Sequence, residues 1–217
     1  MIGLEKRRKR EKTQRKKAII KSARKLFAEH GFKPVTVASI AKKAELSKGA
    51  IYLYFSSKEE IYTQILLTDI ETFHREISRI FLPDKRSSQI LYDFADAYID
   101  IFLTRKEQFR TLMNFMLGAE SFNLSKETRK QLIRETNRTV SLIEKILQLG
   151  VASGELNISK QDMRTMRSVL WGLLNGVISL HLFVGDELKR EERIRTGIRE
   201  GMERIIETLK NEVPIVK

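Results

Sequence analysis

The segment Thr36-Val-Ala-Ser-Ile-Ala-Lys-Lys-Ala44, then Glu45-Leu46, then Ser47-Lys-Gly-Ala-Ile-Tyr-Leu-Tyr-Phe55 decides how the chain is read. Thr36 and Ser47 each precede a short run with apolar residues at helical spacing, and hydroxyl side chains in that place cap helix N-termini. The spacing predicts one short helix through Val37, Ile40 and Ala41, a turn at 45–47, and a second helix over Lys48 to Phe55. Ala38, Ala41 and Ala44 leave room for a close neighbour, and Gly49 and Ala50 leave the start of the second helix unobstructed. A capped short helix with a slim N-terminal end is what entry into a DNA major groove requires. The same pattern also fits a three-helix packing unit without a ligand.

Upstream, Ala18, Ile19, Ala23, Leu26 and Phe27 form an apolar stripe of period three to four that Gly31 ends. Downstream, Ser56-Ser57 stops the short helix, and Lys58-Glu59-Glu60 opens a long one with Ile61, Ile65 and Leu66 inward. Charge weighs between the two readings of 36–55. The chain of 217 residues has a formal net charge of +13. Residues 1–58 hold 17 Lys and Arg against four Asp and Glu, whereas residues 59–217 hold 24 of each. The whole excess therefore lies in the first quarter of the chain, as for a polyanion-binding segment joined to a neutral body. The polyanion is nucleic acid or an anionic membrane surface, and nucleic acid is favoured because residues 13–58 read as a compact unit, not as one interfacial helix.

These residues resemble the DNA-binding segment of the tetracycline-repressor (TetR) family. The likeness rests on Thr36–Ala44, Ser47–Phe55, Lys58-Glu-Glu-Ile61 and, before them, Ala23-Arg-Lys-Leu-Phe-Ala-Glu-His-Gly-Phe32. It covers about 50 residues; the rest of the chain resembles the family in helical layout and length alone. Glu45 departs from the pattern, since the family has Gly in this turn, and Glu adopts a left-handed conformation only at a cost. The resemblance implies a dimeric transcription regulator, more often a repressor, that leaves its operator when a ligand binds. It implies that Thr36 meets a phosphate, that Ser47, Lys48 and Gly49 begin the recognition helix with Lys48 as base reader, that Tyr52 and Tyr54 offer phenols to phosphate or a thymine methyl, and that Lys58 holds a phosphate. Phe55 is expected in the core, and core is the alternative place for one of the two tyrosines, since Ile51, Leu53 and Phe55 alternate with them.

The basic run around Arg7, Arg8, Lys9 and Arg10 is expected to serve as an arm, either in the adjacent minor groove or as a solvated tail that attracts phosphate. The organisation read from sequence is an arm over 1–12, a DNA-binding domain over 13–58 with its helix-turn-helix at about 36–55, and a ligand-binding and dimerisation domain over 59–217.

That body reads as helical throughout, with blocks at Ser87–Thr104, Lys106–Leu117, Lys126–Ser153, Lys160–Val184 and Leu188–Glu212. The fold class is all-α with about nine helices. Ser168–Gly185 carries no formal charge, but its Asn175, His181 and three glycines favour a buried helix of a soluble bundle over a membrane span. Gly172 and Gly176, four apart, suit either a close helix pair in a dimer interface or packing within one chain. Phe94, Tyr98, Phe102, Met113 and Met116, with Trp171, Asn175 and His181 as polar handles, are candidate pocket residues, though such a stripe also makes plain core. No basic pair is seen waiting for an anion, so the expected ligand is mostly apolar or aromatic.

Enzyme chemistry finds little support. There is no Cys, only three His far apart, no Gly-rich phosphate loop and no serine elbow. No cofactor and no metal are expected. The expected partners are palindromic double-stranded DNA, a second copy of the chain and a small ligand, in the cytoplasm. The alternative is a basic peripheral-membrane-binding protein.

Overall fold

In a computed structural model, residues 2–80, 84–118, 124–183 and 189–210 are described, and they form nine α-helices and no strand. These are α1 (Ile2–His30), α2 (Val37–Lys43), α3 (Lys48–Tyr52), α4 (Lys58–Ser78), α5 (Ser87–Thr104), α6 (Lys106–Gly118), α7 (Lys126–Ala152), α8 (Met163–Phe183) and α9 (Arg190–Lys210). Their contacts divide the chain into two compact units. One comprises Met1–Ile70 with Lys106–Ile133, the other Glu71–Arg105 with Arg134–Lys217. The units do not follow the sequence division at residue 58. α6 returns to the core of the first unit, where Phe109 is buried and the Tyr62 hydroxyl donates to the Thr111 carbonyl at 3.2 Å.

The core of the first unit gathers the apolar faces of α1 to α4: Ile19, Ala23, Phe27, Ile40, Ala41, Ile51, Phe55, Ile61, Ile65 and Leu66. Phe27, Phe32 and Tyr62 meet there at ring distances of 4.9 to 5.6 Å. Burial pushes the Tyr62 phenol up to about 12, so it stays a neutral donor.

Two differences from the sequence reading concern α3 and α8. α3 ends at Tyr52 rather than Phe55 because the Tyr54 and Phe55 amides both turn back to the Ile51 carbonyl. α8 begins at Met163 rather than Lys160. Ser159 accepts the Asp162 amide at 3.1 Å and donates to the Asp162 carboxylate at 2.6 Å, a local cap that delays the helix. The ends expected at Val184, Leu188 and Glu212 lie outside the described residues.

In the second unit, α5 buries Ile90, Leu91, Phe94, Tyr98 and Phe102, and α9 buries Ile194, Ile198, Met202 and Ile206. α9 packs on both α5 and α8. Glu155, in the turn after α7, closes the start of α5. Its carboxylate accepts the amides and hydroxyls of Ser87 and Ser88, with the two Ser87 bonds at 2.7 and 2.8 Å. This corner leaves no space beside Gly150, where a Cβ would come within 2.4 Å of the Ser87 hydroxyl and 2.5 Å of Leu156.

Candidate nucleic-acid interface

The interface builds from two caps and a turn. Thr36 accepts the Ser39 amide at 3.1 Å, and Ser39 accepts the Thr36 amide at 3.0 Å, a reciprocal capping box. α2 then ends in a left-handed residue. Glu45 has φ of 57°, and the Leu46 amide reaches back to the Ala41 carbonyl at 2.9 Å, a bond that closes a helix C-terminus. Ser47 caps α3 by accepting the Ala50 amide at 3.1 Å. Ile51 and Phe55 anchor this segment in the core, and of the side chains between them Tyr52 and Leu53 are turned outward.

Ser47, Lys48 and Gly49 are exposed, as is Thr36. Nothing but the Ser47 hydroxyl comes near the space beside Gly49. Tyr52 is 49 % exposed and lies 6.0 Å from the Lys48 ammonium, whereas Tyr54 leans on the core. Tyr52 is thus the tyrosine at the surface, and Phe55 is buried. Lys58 has a different setting from its neighbours. Its ammonium donates to the carbonyls of Phe32 at 3.0 Å and Lys33 at 3.2 Å and sits 4.2 Å above the Phe32 ring. It braces the corner between α1 and α4 with much of its hydrogen-bonding capacity already in use.

The basic run is neither an extended arm nor a loose tail here: it is the first half of α1. Residues 5–18 are all exposed, and they carry nine Lys and Arg against two Glu. Arg7 pairs with Glu11 at 3.1 Å. The sequence reading missed Leu53, which is 77 % exposed just beyond α3. It also missed a cleft of about 320 Å³ lined by Lys21, Lys25 and Lys43 beside Glu45. Nothing in the local pattern marks Leu53 as exposed, because the capped helix is a turn shorter than its apolar spacing implies.

The structure brings five of the candidate pocket residues together in the second unit. The Tyr98 ring stacks near Phe94 and meets Trp171 edge-on at 5.4 Å, and its hydroxyl donates to Asn175 at 2.7 Å. Phe102 is buried on the same helix. His181 lies further along α8, partly buried. Met113 belongs to the first unit, and the side chain of Met116 lies outside the described residues. Burial pushes the Tyr98 phenol up, against the opposing effect of its bond to Asn175. α8 is not buried all round: Val169 is 42 % and Leu180 67 % exposed, and Gly172 and Gly176 face open space. No described helix is long and apolar enough to cross a membrane, and no group of three or more His, Asp or Glu among the described residues is placed to hold a metal ion.

Residues 19–65 match the family model for bacterial regulatory proteins of the tetR family. Over 184 residues the chain is 24% identical to the uncharacterized HTH-type transcriptional regulator YfiR of Bacillus subtilis, covering 82% of this chain and 85% of that one. It is 25% identical over 166 residues to the fatty acid metabolism regulator protein of the same organism, covering 74% of this chain and 80% of that one. Among solved structures it is similar to the TetR family transcriptional regulator PfmR of Thermus thermophilus, with a TM-score of 0.68, 24% identity, and coverage of 85% of this chain and 97% of that one.

Proposed function

We propose that this chain, a DNA-binding transcriptional regulator of the TetR family, acts as a homodimeric repressor that a small, mostly apolar ligand releases from a palindromic operator. The observation that carries the reading is the open start of α3. Lys48 and Gly49 stand exposed at a capped helix end, within the segment that holds the entire charge excess. In the proposed division of labour, residues 13–58 read DNA and residues 59–217 serve ligand and dimer. Lys48 reads base edges, Thr36, Ser47 and Tyr52 grip the backbone, and the exposed cations of α1, Arg7 to Arg10 among them, add attraction to phosphate.

Dimerisation is supported by the outer face of α8. Val169, Gly172, Gly176 and Leu180 follow helical spacing, and the two glycines between the exposed apolar side chains let a second helix approach closely. A two-fold operator calls for a two-fold protein, with readers about one helical turn, ~34 Å, apart. The Phe94–Tyr98–Trp171 cluster supports an apolar ligand, with Asn175 as the polar atom that orients it. The name of one relative, the fatty acid metabolism regulator, agrees with that choice.

Selection of duplexes from random sequence, with light scattering on the complex, tests the proposal. A palindromic site bound by a species of twice 25.3 kDa is expected, and ligands found by thermal shift should release it. A monomer bound without sequence preference would refute it.

A further inference from the structure

A groove of about 570 Å³ lies within the second unit between the last turns of α4 and the middle of α7. α4 lines it with His74 and Ser78, one turn apart, and α7 with Asn137, Arg138, Ser141 and Lys145. Its walls include a third cation, Arg134, one apolar side chain, Leu142, and no carboxylate. Glu135 lies beside the groove and pairs with Arg138 at 2.8 Å and Arg134 at 3.6 Å. Lys145 enters none of the ion pairs among the described residues. Three cations against one adjacent acid leave an excess of two positive charges. The sequence alone shows no basic pair placed to meet an anion. Arg138 and Lys145 stand seven residues apart, on one face of α7, and only the α4 wall makes that face a site.

The groove is also ordered. His74 shares a hydrogen bond of 3.2 Å with the buried Thr139 hydroxyl, and Ser78 donates to the His74 carbonyl at 2.6 Å. The Ser78 hydroxyl also lies 3.4 Å from Nε2, so both ring nitrogens of His74 have a hydroxyl beside them. The imidazole pKa is lowered first by burial and then by Arg138 and Lys145, with Glu135 acting in the opposite sense. The field of those two cations reaches into the groove.

We propose that this groove binds the dianionic phosphate of a small organic phosphate, with Arg138 and Lys145 on the phosphate oxygens and Asn137 and Ser141 as further donors. Two uncompensated charges favour a dianion over a carboxylate or a phosphodiester, each of which carries one. The volume is that of a small-molecule site and far exceeds a bare phosphate, which leaves room for an organic remainder. This inference does not rest on the apolar ligand proposed above, because none of the Tyr98 cluster lines this groove.

The test uses the full-length, isotope-labelled protein with adenosine 5′-monophosphate, inorganic phosphate and acetate as probes at constant ionic strength. Saturable resonance shifts at His74, Ser78, Arg138 and Lys145 are expected with the nucleotide, weaker ones with phosphate, and none with acetate. Lys145→Gln should weaken nucleotide binding about tenfold, the loss of one charge-assisted hydrogen bond. Lys126→Gln, the same charge change elsewhere on α7, should not. Equal shifts with acetate, non-saturating shifts, equal effects of the two variants, or perturbation confined to residues 5–48 would overturn the proposal. Phosphate bound as tightly as the nucleotide would overturn the assignment to an organic phosphate. Because the read-out is at the groove and not at DNA, failure here leaves the operator reading untouched.

Discussion

The hydroxyl of Tyr98 donates to Oδ1 of Asn175 at 2.7 Å, and the Asn175 amide in turn donates to the Trp171 carbonyl one turn back on α8. Two polar groups thus satisfy each other inside an aromatic cluster. Their removal is unequal in cost. Tyr98→Phe loses one bond and leaves the versatile amide behind, at about 1 kcal/mol. Asn175→Leu takes the 2.7 Å acceptor away from a fully buried phenol, at about 1–3 kcal/mol. Urea denaturation should rank the two in that order. If this is the ligand site, Asn175→Leu should also blunt ligand release of the operator while ligand-free DNA affinity stays intact.

Lys48 and Lys58 should separate in a binding assay. Lys48 is free to reach bases, so Lys48→Ala should cost about 1–3 kcal/mol on the selected operator and little on scrambled duplex. Lys58 braces two carbonyls and a ring, so Lys58→Ala should weaken both duplexes alike and lower thermal stability as well. Fluorescence anisotropy on both duplexes, with a melting curve for each variant, makes the comparison.

Deleting residues 1–12 removes Lys6, Arg7, Arg8, Lys9, Arg10 and Lys12. Each phosphate that the protein no longer neutralises should reduce the log–log salt slope by about 0.9. Affinity measured from low to moderate salt should show a shallower line for the truncated protein. An unchanged slope would show that this part of α1 does not touch DNA.

Stability should fall in two separate steps as pH falls. The folded His74 resists protonation, chiefly through burial and then through Arg138 and Lys145, so its pKa lies below 6.5. The unfolded chain takes up that proton first, and stability drops as pH falls through 6.5 until the folded pKa is passed. Glu155 follows the opposite rule. Burial pushes its carboxyl up, but the bonds from Ser88 and Ser87 outweigh burial and hold it below 4.5. It stabilises the fold above that pH, and the contribution is lost as pH falls through its depressed value. Denaturation across the pH range should show His74→Gln removing the first step. Glu155→Gln should lower the plateau by about 1–3 kcal/mol and diminish the second step.

The parts legible in sequence are those governed by local rules. Thr36, Ser47 and Gly31 signal helix boundaries through cap chemistry, and all three stand at those boundaries. Glu45 is out of place in its turn on sequence grounds, and it is the only non-glycine residue of positive φ among the described residues. What stays hidden in sequence depends on which helix faces which. The α4–α7 groove needs His74 and Arg138, far apart in the chain, on facing walls. The cap that Glu155 gives α5 joins residues 68 apart. The bracing role of Lys58 is hidden for a similar reason: its carbonyl partner Lys33 belongs to a loop 25 residues earlier.

α1 runs without a break from the basic segment into the core, where Ile19, Ala23 and Phe27 are fixed. A free peptide of this composition would have to nucleate its own first turn, at odds of about one in a thousand, and then bear the repulsion of its cations. Attached to a packed half that supplies the nucleus, the segment need only propagate. Its helicity should then weaken toward the N-terminal end, and added salt, by screening the repulsion, should strengthen it there. The same salt weakens attraction to any polyanion, so the segment is best ordered under the conditions in which its charge attracts least.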